Sequence, residues 1–560
     1  MRLTGAQMVL ACLEAENVEV IFGFPGGAVL TLYDEIYKKG FKHILARHEQ
    51  GAAHAADGYA RASGKPGVVI ATSGPGATNI VTGIATAYMD SVPLIAITGQ
   101  VATPLIGSDA FQEADITGIT LPITKNNYLV KDINELPFIL KEAFHVANTG
   151  RKGPVLIDLP KDLQAQEGEF YYPETVEISS YKPVYEGHAG QIAKAADAIK
   201  KARRPLLYAG GGVISSGAHE ELLQLSKMMS IPATLTMNGL GGVPYDYEYF
   251  LGMPGMHGTY AANNAINESD LLIAVGVRFD DRVTGKLEDF APRAEIIHID
   301  IDPAEIGKNI SVQIPIVGDC KLVLKELLRR LQPVEKTNAK KWCANVLEWK
   351  TSKPLHYSQE PGDYLKPQFV IEEFYRLTEG NAIVATDVGQ HQMWAVQYYR
   401  SQKPRTLISS GGLGTMGFGL PAAIGAQVAF PEKQVICFAG DGSFQMNSQE
   451  LATAVHYNIP VKIAIINNKY LGMVRQWQEL FYGSRYAHTS LDGSPDFVKL
   501  AEAYGAKGLR VAKAEETAAT IKKALEIPGP VVIDFQVDPE ENVLPMVPPG
   551  TSIVEMIGGE

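Results

Sequence analysis

The sequence predicts an α/β protein built from three parallel-sheet domains. Two observations carry this. Short apolar, β-rich runs alternate with helical segments along most of the 560 residues, and many of these runs end in Gly, Asp or Asn. Two stretches dominated by Pro, Gly and charge then divide the alternation into three blocks, in line with a soft prior of ~150 residues per domain. A hydrophobic content of 46% and 54 glycines fit such a protein, with its many strand-to-helix turns.

The first block, 1–165, opens with an amphipathic helix that leads into a strand. Strands are expected at 20–24, 43–47, 67–71, 94–98 and 154–159, with helices between them. Residues 166–187 lack periodicity and read as a linker. The second block, 188–335, starts with a helix and has strands at 205–209, 271–275 and 295–301. The first of these runs into Gly210-Gly211-Gly212, the second into Gly276-Val277-Arg278-Phe279-Asp280-Asp281-Arg282. The third ends around Asp300, Ile301 and Asp302. Residues 336–365 form a second linker with one short helix. The third block, 366–545, contains a βαβ unit with strands at 435–439 and 461–466 around a helical segment at 448–457. The tail, 546–560, is rich in proline and glycine, and its pattern leaves open whether it is mobile or folds over a site.

Composition excludes several classes. A net charge of −12 argues against a nucleic-acid partner or a membrane surface. The four cysteines, Cys12, Cys320, Cys343 and Cys437, form no C-x-x-C pair, so neither a disulfide framework nor a cysteine metal site is expected, and a reducing cytoplasm is the expected compartment. The N-terminal helix has no signal-peptide core, and no apolar run approaches the ~20 residues of a membrane span.

The βαβ unit is where chemistry concentrates. Its strands end in Gly440-Asp441-Gly442-Ser443 and in Asn467-Asn468, and parallel strands bring both ends to one sheet edge, where α/β proteins bind ligands. A carboxylate and an amide oxygen then face a common point beside a helix start. That set suits Mg²⁺ bridging a diphosphate, with few protein oxygens and the rest from phosphate and water. Alone, Gly-Asp-Gly reads as a turn and Asn-Asn as a strand terminus. Together, with 24 residues between Gly442 and Asn467, they closely resemble the signature of thiamin-diphosphate enzymes. By that resemblance Asp441, the side chain of Asn468 and the carbonyl of Tyr470 hold Mg²⁺, and Gly442 and Ser443 touch the diphosphate.

Other segments extend the resemblance. Glu49, in RHEQGAAHAADGYAR, follows a strand and begins a small-residue helix, where a helix dipole alone favours a carboxylate. The segment resembles the one whose glutamate bonds the cofactor's pyrimidine ring and promotes the reactive carbon. In SGPGATN the implied pyrimidine contacts are Pro75 and Asn79, and Gly27 allows close backbone approach to the reacting carbon. In DVGQHQMW and GGLGTMG the implied cofactor residues are Val388, Gly389, Gln390, His391, Gly414 and Met416, the last placed under the bend between the two rings. Gly472 and Met473 belong to the same set.

Taken together FGFPGG, GSDAFQEAD, GPVLIDLPKD, RFDDRVTG, GQHQMWA, GGLGTMGFGLPAAIGA and GMVRQWQELFY resemble the acetolactate synthase (acetohydroxyacid synthase) family, FAD-containing large catalytic subunits, from Leu3 to Pro548. The resemblance implies a pyrimidine-binding domain, a central Rossmann-like FAD domain and a diphosphate-binding domain. It implies decarboxylation of pyruvate and ligation of the hydroxyethyl group to a second pyruvate or to 2-oxobutyrate, in the biosynthesis of valine, leucine and isoleucine. Arg282 would take the second acid's carboxylate and Trp477 would shape its pocket. Phe111, Gln112 and Lys161 would line the mouth of the site from a neighbouring subunit. The implied FAD residues are Arg151, Gly210, Gly211, Gly212, Thr236, Met256, His257, Gly276, Arg278, Asp280, Arg282, Asp300, Ile301 and Asp319. A homodimer or homotetramer and a separate regulatory small subunit are the implied partners. Val101-Ala102-Thr103-Pro104 departs from the family by lacking a proline directly after the valine. An FAD-dependent pyruvate oxidase and a 2-oxo acid decarboxylase are the alternatives; RFDDRVTG and GMVRQWQ argue against the first. A non-catalytic protein on the same fold would be expected to have lost Glu49, Asp441 or Asn468, and all three are present.

Overall fold

The computed structural model describes residues 1–331 and 339–559. The expected domain boundary at 335/336 lies outside the described residues. Three parallel sheets organise the chain. The N-terminal sheet runs in the order His43–Leu45, Ile21–Phe24, Gly67–Ala71, Leu94–Gln100, Pro154–Pro160, Asn126–Leu129. The C-terminal sheet repeats this order with Leu407–Ile408, Ile383–Thr386, Val435–Gly440, Lys462–Asn467, Val531–Gln536, Lys507–Val511. The central sheet has Ala233–Leu235, Pro205–Ala209, Leu271–Val275, Glu295–Asp300 and Ile314–Val317.

Most inner strands are legible because they are covered on both faces and so are almost continuously apolar. Every residue of Gly67–Ala71, Pro205–Ala209 and Leu271–Val275 is buried. The strands that sequence reading leaves unassigned include Asn126–Leu129, Ala233–Leu235 and Ile314–Val317 at sheet edges, and also the inner strands Ile383–Thr386 and Val531–Gln536 of the C-terminal sheet. The second strand stops at Leu45 rather than at 47. The main-chain N–H groups of Arg47 and His48 donate to the Glu450 carboxylate instead of to a neighbouring strand.

The two expected linkers carry structure. Glu167–Glu169 pairs antiparallel with Arg2–Thr4. Lys340–Ser352 is a full helix whose Trp342 and Val346 pack into the central core, with Trp342 Nε1 donating to the Pro205 carbonyl at 3.0 Å. The tail folds back on the central domain. Ile553 is buried beside Phe279 and Val283, Lys286 N–H donates to the Thr551 carbonyl at 3.0 Å, and Val547 N–H donates to Met256 at 2.8 Å.

The N- and C-terminal domains meet through helices Glu49–Ser63 and Gly419–Ala429. A methyl group at Gly58 would collide with the Ala422 backbone, and one at Gly425 with that of Ala55. Ala62 shares a core with Leu420, whereas Val428 and Ala429 pack toward Ala52 and Ala55. The pair is therefore antiparallel, and the two helix N-termini point away from each other.

Candidate active site

The register Gly440↔Ile466 sends Asp441 and Asn467-Asn468 off the same edge of the C-terminal sheet. Asp441 is buried, and its Oδ2 has no hydrogen-bond partner. Burial pushes its carboxyl up to about 7, against the opposing pull of main-chain N–H groups that include that of Lys469. Asn468 Oδ1 accepts from Tyr470 N–H at 3.2 Å, and its Nδ2 donates to Gln390 Oε1 at 2.9 Å. Gln390 Nε2 donates in turn to Gln476 at 2.9 Å. A side chain at Gly472 would overlap Gln390 and Asn468, so this glycine is what lets the helix Gly472–Phe481 start against them. An unpartnered buried carboxylate oxygen beside amide and main-chain oxygens is the donor set a hard cation takes. Among the described residues no three His, Cys, Asp or Glu cluster to hold a metal by themselves.

His391 lies against Gly440 and Gly389, Val388 faces Gly414, and Met416 directly precedes Gly417. Asp387 holds their loops together: it accepts from Val388 N–H at 2.9 Å and from Gly417 N–H at 2.8 Å. Asn447 adds a bond to the Gly417 carbonyl at 2.7 Å. Sequence reading missed both as site residues, although Asp387 stands at a strand's carboxyl end. Burial pushes Asp387 up to about 6 and His391 down to about 3, so the imidazole is neutral, and its buried Nε2 is unpartnered. Ser443 Oγ accepts from Gly440 N–H at 3.1 Å, so its hydroxyl is already engaged with the turn. Gly442 packs against Leu471 and Leu491, and Gly414 faces Val388.

The N-terminal sheet presents a second cluster at its own carboxyl edge. Glu49 opens its helix after the His48 cap and is 9% exposed. Asn79 Nδ2 donates to Glu49 Oε2 at 3.0 Å. Pro75 begins the short helix Pro75–Asn79. Gly74 before it has φ +57°, and a methyl there would stand 2.8 Å from the Gln112 carbonyl, which brings the loop of Phe111 and Gln112 over this edge. Phe111 is 87% exposed. Gly26 packs on Thr72, while space beside Gly27 is open. Lys161 is exposed at the first turn of Lys161–Ala165.

In the central domain Gly212 N–H donates to the Gly276 carbonyl at 3.1 Å and Gly210 N–H to Val275 at 3.0 Å. A methyl at Gly212 would come within 2.6 Å of Gly276 Cα, so the two strand-end loops touch backbone to backbone. Gly211 and Thr236 flank them. Asp300 is buried, accepts from Asp302 N–H at 2.9 Å and is pushed up to about 7 by burial. Ile301 follows it, and Asp319 caps the helix Cys320–Arg330. Arg151 reaches across from the N-terminal domain to Asp302 at 3.2 Å and Glu305 at 2.7 Å. Met256 N–H donates to the Arg282 carbonyl at 2.8 Å, and His257 Nδ1 contacts the Pro545 carbonyl at 3.1 Å. Arg278 Nη1 donates to the Met89 carbonyl at 2.6 Å, and Asp280 caps the turn of Arg282. The Arg282 side chain is 61% exposed, with Asp281 at 3.8 Å and its Nη1 directed at Met256 Sδ at 3.9 Å. Trp477 and Met473 line an open cavity of ≈ 720 Å³ with Val474, Gln478, Tyr482 and Arg485.

The family models that match are those of the thiamine pyrophosphate enzymes: the N-terminal TPP-binding domain over residues 3–119, the central domain over 192–327 and the C-terminal TPP-binding domain over 387–535. Fold, strand-end chemistry and these models define the class, a three-domain thiamine pyrophosphate enzyme. The chain is 50% identical to the acetolactate synthase large subunit of Haemophilus influenzae over 99% of its own length and 98% of the relative's. It is 52% identical to that of Corynebacterium glutamicum, with 98% and 89% covered. It is also 52% identical to an acetolactate synthase of Mycobacterium bovis, with 98% and 91% covered. The chain belongs to the acetolactate synthase large-subunit family.

Proposed function

We propose that this protein condenses pyruvate with a second 2-oxo acid, pyruvate or 2-oxobutyrate, with loss of CO₂, giving 2-acetolactate or 2-aceto-2-hydroxybutyrate for branched-chain amino acid biosynthesis. The observation that carries the reading is the unpartnered Asp441 Oδ2 beside Asn468, in a chain that matches all three thiamine pyrophosphate domains.

Asp441, the Asn468 amide oxygen and the Tyr470 carbonyl would hold Mg²⁺, with Gln390, His391, Gly442, Ser443, Gly472 and Met473 around the diphosphate. Val388, Gly414 and Met416 would line the bend of the cofactor. When bound, thiamin diphosphate supplies the nucleophilic carbon that takes up the keto carbon of pyruvate. Glu49, steadied by Asn79, would exchange a proton with the pyrimidine ring, on which Pro75 also borders. Gly27, with no side chain, would leave room above the reacting carbon. Arg282 carries an exposed guanidinium with no bidentate partner, which suits the carboxylate of the acceptor acid. The cavity at Trp477 would take its side chain, and Phe111, Gln112 and Lys161 would form the mouth.

FAD is proposed for the central domain. The close approach of Gly210 and Gly212 to Gly276 leaves a main-chain surface beside Thr236, Arg278, Asp300 and Asp319 that suits a dinucleotide. Within one chain Glu49 and Gly419 open helices whose N-termini diverge, so Glu49 would serve the diphosphate site of a second copy. That geometry supports a homodimer or a tetramer built from dimers. The relatives' name, large subunit, supports a small regulatory partner. We read the compartment as cytoplasmic, since the four cysteines of the sequence form no C-x-x-C pair and suggest no disulfide framework. No described helix is long and apolar enough to cross a membrane.

The test is product analysis with pyruvate, thiamin diphosphate, Mg²⁺ and FAD under air. Acetolactate without hydrogen peroxide is expected. Peroxide, or acetaldehyde alone, would move the protein to an oxidase or a decarboxylase.

A further inference from the structure

Behind the cofactor-facing edges one carboxylate joins all three domains. Asp90 ends the helix Val81–Met89 of the N-terminal domain, and its side chain has no solvent exposure. Its Oδ1 accepts from Gly412 N–H at 2.8 Å and from Asn238 Nδ2 at 3.0 Å. Its Oδ2 accepts from Gly411 N–H at 2.9 Å and from Arg61 Nη2 at 2.9 Å. Arg61 is itself paired with Asp57 and donates from Nη1 to the Ser409 carbonyl at 2.8 Å.

The donors come from two places that bear on cofactors. Gly411 and Gly412 start the loop that ends at Met416 in the C-terminal domain. Asn238 lies in the turn Met237–Gly239 of the central domain, pressed on the glycine loop: a methyl at Gly211 would stand 3.3 Å from Asn238 Cβ, and one at Gly239 would stand 3.1 Å from Gly210 Cα. A second strut runs parallel. Arg278 donates to the Met89 carbonyl, and a methyl at Gly412 would stand 3.1 Å from Arg278 Nη2. Gly412 is thus held between Asp90 and Arg278. Because Asn238 and Gly412 share one carboxylate oxygen, the turn of the central domain cannot shift without disturbing the loop of the C-terminal domain. All four bonds end on the carboxylate and are charge-assisted, the one from Arg61 joining two ions, and four donors on two oxygens leave little lone-pair capacity for a substitute partner.

We propose that Asp90 is a positioning residue that couples the two cofactor sites: a flavin dinucleotide seated on the Gly210–Gly212 loop orders Gly411–Met416 for thiamin diphosphate. This rests on the reading above that FAD occupies the central domain. Coupling of this kind is reciprocal, so thiamin diphosphate tightens FAD by the same factor.

The experiment titrates the full-length protein with thiamin diphosphate at saturating Mg²⁺, with and without FAD, by calorimetry, and repeats it with the roles exchanged. The native protein is expected to show a coupling factor of about five-fold or more in both directions. Asp90→Asn removes the charge and half of the acceptor capacity; Asn238→Ala removes only the central arm and leaves the Arg61 pair intact. Asn238→Ala is expected to bind both cofactors with a coupling factor clearly below the native one, the Arg278 strut remaining, and it carries the test if Asp90→Asn does not fold. A purely structural role would weaken each ligand equally whether or not the other is bound, leaving the ratio unmoved. A native factor of one, or an unchanged factor in Asn238→Ala, overturns the proposal. Native protein that binds no FAD at all would instead overturn the flavin reading and the proposal with it.

Discussion

Asn79 donates from Nδ2 to Glu49 Oε2 at 3.0 Å, while Glu49 Oε1 lies over Gly76, where a methyl would stand 3.3 Å away. One oxygen of the carboxylate is thereby oriented from within its own domain. The other faces a glycine that leaves room for a ligand. Glu450, from the C-terminal domain, holds the main chain just before it through the N–H groups of Arg47 and His48 at 3.0 Å.

Replacing Glu49 by Gln keeps the size and the bond to Asn79 but removes the proton-transferring group. Turnover is expected to fall by roughly 10²–10⁴-fold, the range of general acid–base catalysis, with flavin content and melting temperature close to native. Near-native kcat in a stopped assay would sink the role.

Asp441→Ala removes the unpartnered carboxylate oxygen. Thiamin diphosphate binding should lose its Mg²⁺ dependence and weaken beyond practical saturation. A Mg²⁺ titration with an unchanged midpoint would eliminate Asp441 as a ligand.

Trp477→Leu enlarges the open cavity that Met473, Tyr482 and Arg485 complete. The preference for 2-oxobutyrate over pyruvate as acceptor should drop several-fold, since pocket contacts to one methylene are worth ~1–3 kcal/mol. The ratio of the two products in direct competition reads this out; an unchanged ratio removes Trp477 from acceptor selection.

Asp158 is buried in the N-terminal sheet, where it accepts from Thr98 Oγ1 at 2.8 Å and Gln100 Nε2 at 2.9 Å. Burial raises its folded pKa from 3.8 to about 7, against the opposing effect of these bonds. The folded protein keeps a proton here that the unfolded chain has already lost, so this group lowers stability as pH rises from about 4 to 7, and the loss is complete above 7. Asp158→Asn keeps the shape and removes the titration. The variant should gain stability relative to native as pH is raised from 5 to 8, by roughly 1–4 kcal/mol. Parallel melting curves across that range would contradict it.

Much of the candidate site was readable because it follows short rules. Gly-Asp-Gly and Asn-Asn each end an apolar run, and a parallel sheet brings such ends together. Glu49 was readable because it opens a helix directly after a strand. Asp387, Asn447, Glu450 and Asp90 were not, because each acts on main-chain groups far away in sequence. Asp387 bonds Gly417, Glu450 bonds Arg47, and Asp90 bonds Gly411. A polar side chain whose partner is 30 to several hundred residues distant leaves no local period or spacing to read.

By itself the sequence determined the class of fold and most inner strands of the sheets, though not Ile383–Thr386 or Val531–Gln536, because burial on both faces and strand-end turn chemistry are local constraints on residue type. Tertiary structure decided the rest. It anchored the helix of the second linker, Lys340–Ser352, on the central core through Trp342, and it folded the tail onto Met256 and Lys286. It set Glu49–Ser63 antiparallel to Gly419–Ala429 through backbone contacts that only glycine and alanine permit. It also gathered donors from all three domains onto Asp90. Those outcomes depend on which surfaces meet, and complementary packing between distant segments is a property of the folded whole that no single segment encodes.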